Sequence, residues 1–171
     1  MNEALKNIMS RRSVKAYKPE MPSQELIDQV VEGTHAPTGM NRQSPIIIEV
    51  TDKAVRDKLS KMNADVMGAK IDPFYGAPVV LVVLADKSVG TYKYDGSLVM
   101  ENLMLAANAV GLGSCWIHRA KEEFESEEGR EFLRQLGISG DYEGIGHCIL
   151  GYPAGDIPAE KPRKENWVYK I

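Results

Sequence analysis

The chain has 171 residues, of which 43% are hydrophobic and 26% charged, with a formal net charge of −3. That length suits a single domain, expected over 1–171, with a sizeable core, and the balance is that of an ordinary globular protein. The acidic total argues against a nucleic-acid partner, no apolar run reaches membrane-spanning length, and two distant cysteines, Cys115 and Cys148, give neither a disulfide framework nor a CxxC metal site. Residues 1–9 are too polar and too short for a signal peptide, so the expected location is cytoplasmic.

Residues 2–9 read as a short helix with Leu5, Ile8 and Met9 turned inward. Arg11-Arg12-Ser13-Val14-Lys15 follows. As a strand it alternates faces, placing Arg11, Ser13 and Lys15 on one side and Arg12 and Val14 on the other. Two cations and a hydroxyl in a row suit a phosphate with a hydroxylated tail. Ser23 caps a helix through Glu32, with Leu26, Ile27, Val30 and Val31 on its apolar face and Gly33 as its stop. The loop His35 to Pro45 is rich in Pro, Gly, Thr and Asn, and loops of this kind are often binding elements.

Ile46 to Val50 is expected to be a strand. Asp52 caps a helix in which Val55, Leu59, Met62 and Val66 follow helical spacing. Asp72 to Pro78 is a loop, and Val79 to Ala85 is a continuous apolar strand expected at the centre of a sheet. Tyr94 to Val110 is apolar nearly all round and therefore predicted to be a buried spine, ended by Gly111 and Gly113. Ser114 to Ile117 is a strand. The acidic run Glu122 to Glu128 reads as a solvated face and helix start, and a helix from Ser126 ends at Leu136-Gly137. Glu143 to Leu150 is a further strand, and Gly151-Tyr152-Pro153 turns out of it. Helices and strands mix without strict βαβ alternation. The expected fold class is therefore α+β, with a mostly antiparallel sheet flanked by helices.

A second basic cluster, Lys161, Arg163 and Lys164, sits at the far end of the sequence. Gly111-Leu112-Gly113 lacks the third glycine and the strand-to-helix setting of a dinucleotide fingerprint, and reads as a helix cap and turn. His147 and Cys148 are strand neighbours pointing to opposite faces, so they form no dyad, and neither has a partner at metal-ligand spacing. His35 and His118 are single histidines, of which His118 is nearer the expected site.

Five segments in order resemble the FMN-dependent nitroreductase family: R-R-S-V-K at 11–15, A-P-T-G-M-N-R-Q-S-P at 36–45, N-L-M-L-A-A-N-A-V-G-L-G-S-C-W-I at 102–117, G-Y-P at 151–153 and K-P-R-K at 161–164. The resemblance implies a nitroreductase-like homodimer with FMN in two interface clefts. It implies an oxidoreductase that takes hydride from NAD(P)H and reduces nitroaromatic, quinone or related small-molecule acceptors by a ping-pong mechanism. A non-enzymatic FMN-binding module, or a flavin-dependent dehydrogenase or dehalogenase of the same fold, is the alternative.

Carried over by residue, Arg11 contacts the FMN phosphate, joined by Lys161 and Arg163. Arg12 and Ser13 bind through backbone or side chain at the ribityl and pyrimidine. Lys15 reaches the N1–C2 carbonyl edge and stabilises the reduced flavin electrostatically, with no protein nucleophile or acid required. Pro37, Thr38, Gly39 and Asn41 come from the other subunit, and Cys115, Trp116 and Ile117 lie along one face of the isoalloxazine. A Pro-Ile-Glu-Gly seen in many relatives stands here as Trp116-Ile117-His118-Arg119, and Lys70 is a candidate for a flavin contact in the compressed 67–78 segment. Trp167-Val168-Tyr169 is expected to be a strand added to the partner's sheet.

Overall fold

A computed structural model describes residues 1–171. Four strands, β1 (Pro45–Val50), β2 (Val79–Asp86), β3 (Gly113–Ile117) and β4 (Tyr142–Gly151), form one sheet in the order β1-β2-β4-β3, with every neighbouring pair antiparallel. The continuous apolar run of β2 is explained by its place. It is interior, and its side chains alternate between two cores. Val80, Val82 and Leu84 face one, while Val79, Leu81 and Val83 face the other.

Six helices cover the two faces: α1 (Glu3–Ser10), α2 (Gln24–Glu32), α3 (Lys53–Met67), α4 (Tyr92–Ala109), α5 (Ala120–Glu125) and α6 (Glu127–Gln135). Leu59 and Met62 of α3, Phe124 of α5 and Phe132 of α6 fill the first core, around Phe74. Ile27 and Val30 of α2 and Met100 and Leu103 of α4 fill the second. Asn2, Ser23, Asp52 and Ser126 cap four of these helices through their side chains.

Several expectations change. Leu5, Ile8 and Met9 of α1 are half-exposed, because α1 lies on α4 through polar contacts. Asn108 donates to the Asn7 carbonyl and side chain, and Asn7 donates to the Leu105 carbonyl. The spine α4 is buried along one stripe only, leaving Tyr94 and Leu98 exposed, since a single sheet covers one side of it. Val66 is likewise exposed at the outer end of α3. Trp167 to Tyr169 form no strand, and their side chains stand in solvent.

The acidic run is not wholly solvated. Gly144 of β4 lies against α5, where an added Cβ would sit 2.2 Å from the Ala120 carbonyl oxygen. This close approach lets α5 lie flat on β4 and delivers Glu123 into the first core. Its Oε2 is 2.8 Å from Nε2 of His147, with both side chains fully buried, though off the line that a hydrogen bond prefers. The rings of Phe74 and Phe124 flank the imidazole at 5.1 and 6.4 Å.

Candidate functional site

The segment after α1 runs along the free edge of β3. Ser13 forms an isolated parallel bridge with Ser114, and the Val14 amide donates to the Ser114 carbonyl at 2.9 Å. It is extended but not a full strand. Val14 alone turns into the core, against Gly113. Arg11, Arg12, Ser13 and Lys15 all line one cleft of about 750 Å³, and Lys161 and Arg163 close it from the other end of the sequence. Two basic clusters about 150 residues apart in sequence are thus brought to one place.

Their side chains are engaged very differently. Arg12 donates to the carbonyls of Met9 (2.6 Å) and Arg11 (2.8 Å) and pairs with Glu160 at 3.2 Å. It caps the C-terminal turn of α1 and ties down the tail, which is why it leaves the face shared with Val14. Arg11 has a carboxylate, Glu101, at 3.6 Å from Nε, while its Nη1 is buried with no hydrogen-bond partner. Buried donors are nearly always satisfied, so an unpartnered one beside a cleft is a place for an acceptor from outside. Lys15 makes no ion pair, and its ammonium lies 5.7 Å from the ring centre of Tyr75.

Ser13 and Lys15 also line an adjoining cleft of about 360 Å³, so the two form one groove. The inner walls of this second part are Met67, Ile71, Pro73 and Tyr75, and its floor is β3 and the turn His118–Arg119. Cys115 and Ile117 point into the first core, while Trp116 packs toward the second, across Gly146. The three side chains therefore divide between the faces, and what the groove meets in common is the edge of the strand. Burial pushes the Cys115 thiol above its ordinary range, so it is a poor nucleophile there.

The expected loop residues lie elsewhere. Pro37, Thr38 and Asn41 line a separate cleft of about 660 Å³, and Gly39 packs on Thr91, where a Cβ would meet Oγ1 at 2.2 Å. Within one chain they do not join the basic groove. Met40, Asn41 and Gln43 all have positive φ, near 50°, which is strained for residues with side chains. What holds the loop is Asp95 of α4, which accepts from the Gly39 amide (3.0 Å), Ser44 Oγ (2.7 Å) and Thr91 Oγ1 (3.0 Å). Burial alone would raise its carboxyl, but these three donors outweigh it and hold it below the usual range.

A second carboxylate organises the far wall of the groove. Asp72 accepts from Arg56, from Ser60 (2.7 Å) and from the amides of Phe74 (2.9 Å) and Gly76 (2.7 Å). Burial opposes ionisation here too, and the same donors overcome it and lower its pKa. Lys70 lies outside the groove, in a shallow cleft with Arg56, Lys61 and Asp65. Asn63 of α3 anchors the turn of the floor, donating through Nδ2 to the His118 carbonyl at 2.8 Å and accepting at Oδ1 from Arg119 Nε at 2.9 Å. Asp95, Asp72, Tyr75 and Asn63 are the supporting residues that sequence reading missed. The signal for Asn63 was present, since it falls four residues after Leu59 on the inner stripe of α3.

Comparison with known proteins identifies the family and the fold. Residues 8–152 match the model of the Nitroreductase family. A protein of Archaeoglobus fulgidus, provisionally named NADH dehydrogenase/NAD(P)H nitroreductase, is 33% identical over 160 residues, covering 90% of this chain and 87% of its own. Among solved structures, a nitroreductase with bound FMN from Bacteroides fragilis aligns over 100% of both chains with a TM-score of 0.91 at 25% identity. A second FMN-bound nitroreductase, from Desulfitobacterium hafniense, aligns over 100% of both chains with a TM-score of 0.88 at 29% identity. The chain belongs to the Nitroreductase family.

Proposed function

We propose that this member of the nitroreductase family is an FMN-dependent oxidoreductase. It draws reducing equivalents from NAD(P)H and delivers them to a nitroaromatic, quinone or related acceptor in a ping-pong cycle. The observation that carries the reading is the buried, unpartnered Nη1 of Arg11, set in a groove that is basic at one end and walled by apolar and aromatic side chains at the other. Phosphate oxygens are the acceptors that a guanidinium fork fits best, and a planar ring system suits the apolar end.

In this reading Arg11, Lys161 and Arg163 hold the phosphate, and Ser13 and Lys15 hold the polar edge of the ring. Bound FMN supplies the two-electron carrier. The chain supplies binding, orientation and charge. Lys15, free of any carboxylate, offers a fixed cation where negative charge accumulates on reduction. Arg12 shapes the site rather than binding, since its donors serve the turn and the tail. No protein nucleophile is needed, in keeping with the raised pKa of Cys115.

The reading includes a second copy of the chain. The strained Pro37–Asn41 segment, remote from the groove in its own subunit, completes the site of its partner. The half-exposed Leu5, Ile8 and Met9 and the exposed tail apolar residues Trp167 and Val168 supply contact area. The test is the visible spectrum of the purified protein, mixed with NADH or NADPH without oxygen, together with its mass in solution. A flavin band that bleaches in a dimer supports the proposal. No flavin uptake, even on reconstitution, would overturn it.

A further inference from the structure

One carboxylate stands beside the basic end of the groove with a single loose partner. Glu101 lies on α4, next to Met100 and two residues before Leu103, both fully buried, so the helix fixes its backbone. Its Oε1 is 3.6 Å from Arg11 Nε, an ion pair too long to be a hydrogen bond, and Arg11 is its one charged partner. Other carboxylates of the chain are tied far more closely. Asp72 accepts from Arg56, Ser60 and two backbone amides, Asp95 from Gly39, Ser44 and Thr91, and Glu143 takes Tyr92 at 3.1 Å and Lys93 at 3.2 Å. The Arg11 guanidinium therefore has a negative charge beside Nε and an unpaired buried donor at Nη1.

The cleft is otherwise cationic. Arg11, Arg12, Lys15, Lys161 and Arg163 line it, against the one carboxylate of Glu160. A phosphate monoester carries a charge of about −2 near neutral pH. Seated at Nη1, it shares one guanidinium with the Glu101 carboxylate, inside the Debye length of about 8 Å at physiological ionic strength. Two effects then oppose each other. Glu101 steadies Arg11, and it repels the phosphate. The steadying is weak, because no hydrogen bond locks the pair and the Glu101 side chain is 47% exposed. The repulsion needs no contact, so it prevails. Glu160 acts less strongly, since it is 65% exposed and meets Arg12, whose donors serve the turn after α1.

Building on the flavin reading above, we propose that Glu101 is a built-in counter-charge that shortens the residence of a phosphate monoester on Arg11, and so narrows the preference for FMN over riboflavin. The flavin is held firmly enough to work and loosely enough to exchange.

The experiment titrates the flavin-free, full-length chain with FMN and with riboflavin, the same ring and ribityl chain without the phosphate. Binding is followed by fluorescence quenching and release by dilution, at about 0.05 and 0.5 M salt. Glu101→Gln keeps the shape and the helix propensity of the residue and removes its charge. It should tighten FMN by about 5- to 20-fold, chiefly by slowing dissociation. Riboflavin affinity should stay within about twofold, because no phosphate is present to repel. The gain on FMN should shrink at the higher salt. Glu101→Asp, which keeps the charge, should hold FMN within about threefold of the wild type.

An equal gain on both flavins, or no gain on FMN, overturns the proposal. Weaker FMN binding in Glu101→Gln also overturns it and makes Glu101 the residue that aims Arg11. A wild-type protein that takes up neither flavin sinks the functional reading itself. One that binds FMN no better than riboflavin sinks the phosphate assignment. A firm preference for FMN that Glu101→Gln leaves unchanged sinks only the role of Glu101.

Discussion

Arg56 and Arg11 are both largely buried arginines, with side chains 10% and 23% exposed, and they teach opposite lessons. Arg56 is fully engaged. Its Nε donates to the Ala77 carbonyl at 3.0 Å, its Nη1 to Asp57 at 3.1 Å and its Nη2 to Asp72. It closes the 72–77 loop onto α3 and stacks over Phe74 at 5.4 Å. Arg11 has one distant carboxylate and a buried nitrogen with no partner at all. The first arginine holds the fold together. The second leaves a buried donor unpaired at the wall of the groove. Burial alone does not separate structure from binding; the state of each donor does.

The comparison breaks most readily at Arg56. Arg56→Met should destabilise the protein by about 2–4 kcal/mol, because it strands a part-buried carboxylate and a buried carbonyl. Chemical denaturation measures this, and an unchanged midpoint would show that the knot is ornamental. The variant that still folds should keep its FMN affinity. Arg11→Met should do the reverse. Flavin-free stability should shift by less than about 1 kcal/mol, while FMN affinity, read by fluorescence quenching, falls about 100-fold. Retained affinity would remove the contrast altogether.

Asp95 sharpens the contrast from the acidic side. Asp95→Asn places an amide donor against the donors Ser44 and Thr91 and should cost about 1–3 kcal/mol. The wild-type carboxyl is lowered on folding, so its contribution is present above the unfolded value near 3.9 and lost as pH falls through the lower folded value. Stability of the two proteins should therefore converge below about pH 4. A constant difference across acid titration would mean that Asp95 is not ionised in the fold. The smallest effect belongs to Arg12. Arg12→Ala should cost about 1 kcal/mol, release the tail near Glu160 to proteases, and weaken FMN only a few-fold.

The fold was largely legible because its periodicities are strong. The continuous burial of β2, the helix caps Ser23 and Asp52 and the antiparallel α+β sheet follow from apolar spacing and turn chemistry, with boundaries off by a residue or so. The convergence of Arg11, Lys15, Lys161 and Arg163 was anticipated only through resemblance, since no local rule joins positions 11 and 163. Glu123 was hidden among charges. Its burial depends on the missing side chain of Gly144, a fact of packing between distant segments. Asp95 and Asn63 were polar residues on buried helical stripes, and a reader asking why they sat there would have found the two loop anchors.

The two cysteines illustrate a last consequence. Cys115 faces the first core and Cys148 the second, on opposite sides of the sheet, although they belong to adjacent strands. They cannot bridge, and burial raises both thiols above their ordinary range. Each core thus carries one dormant reporter that alkylating reagents reach only when that side of the molecule opens. Comparing their labelling times, with and without flavin, would tell which half of the sheet breathes first and whether the cofactor clamps one half or both.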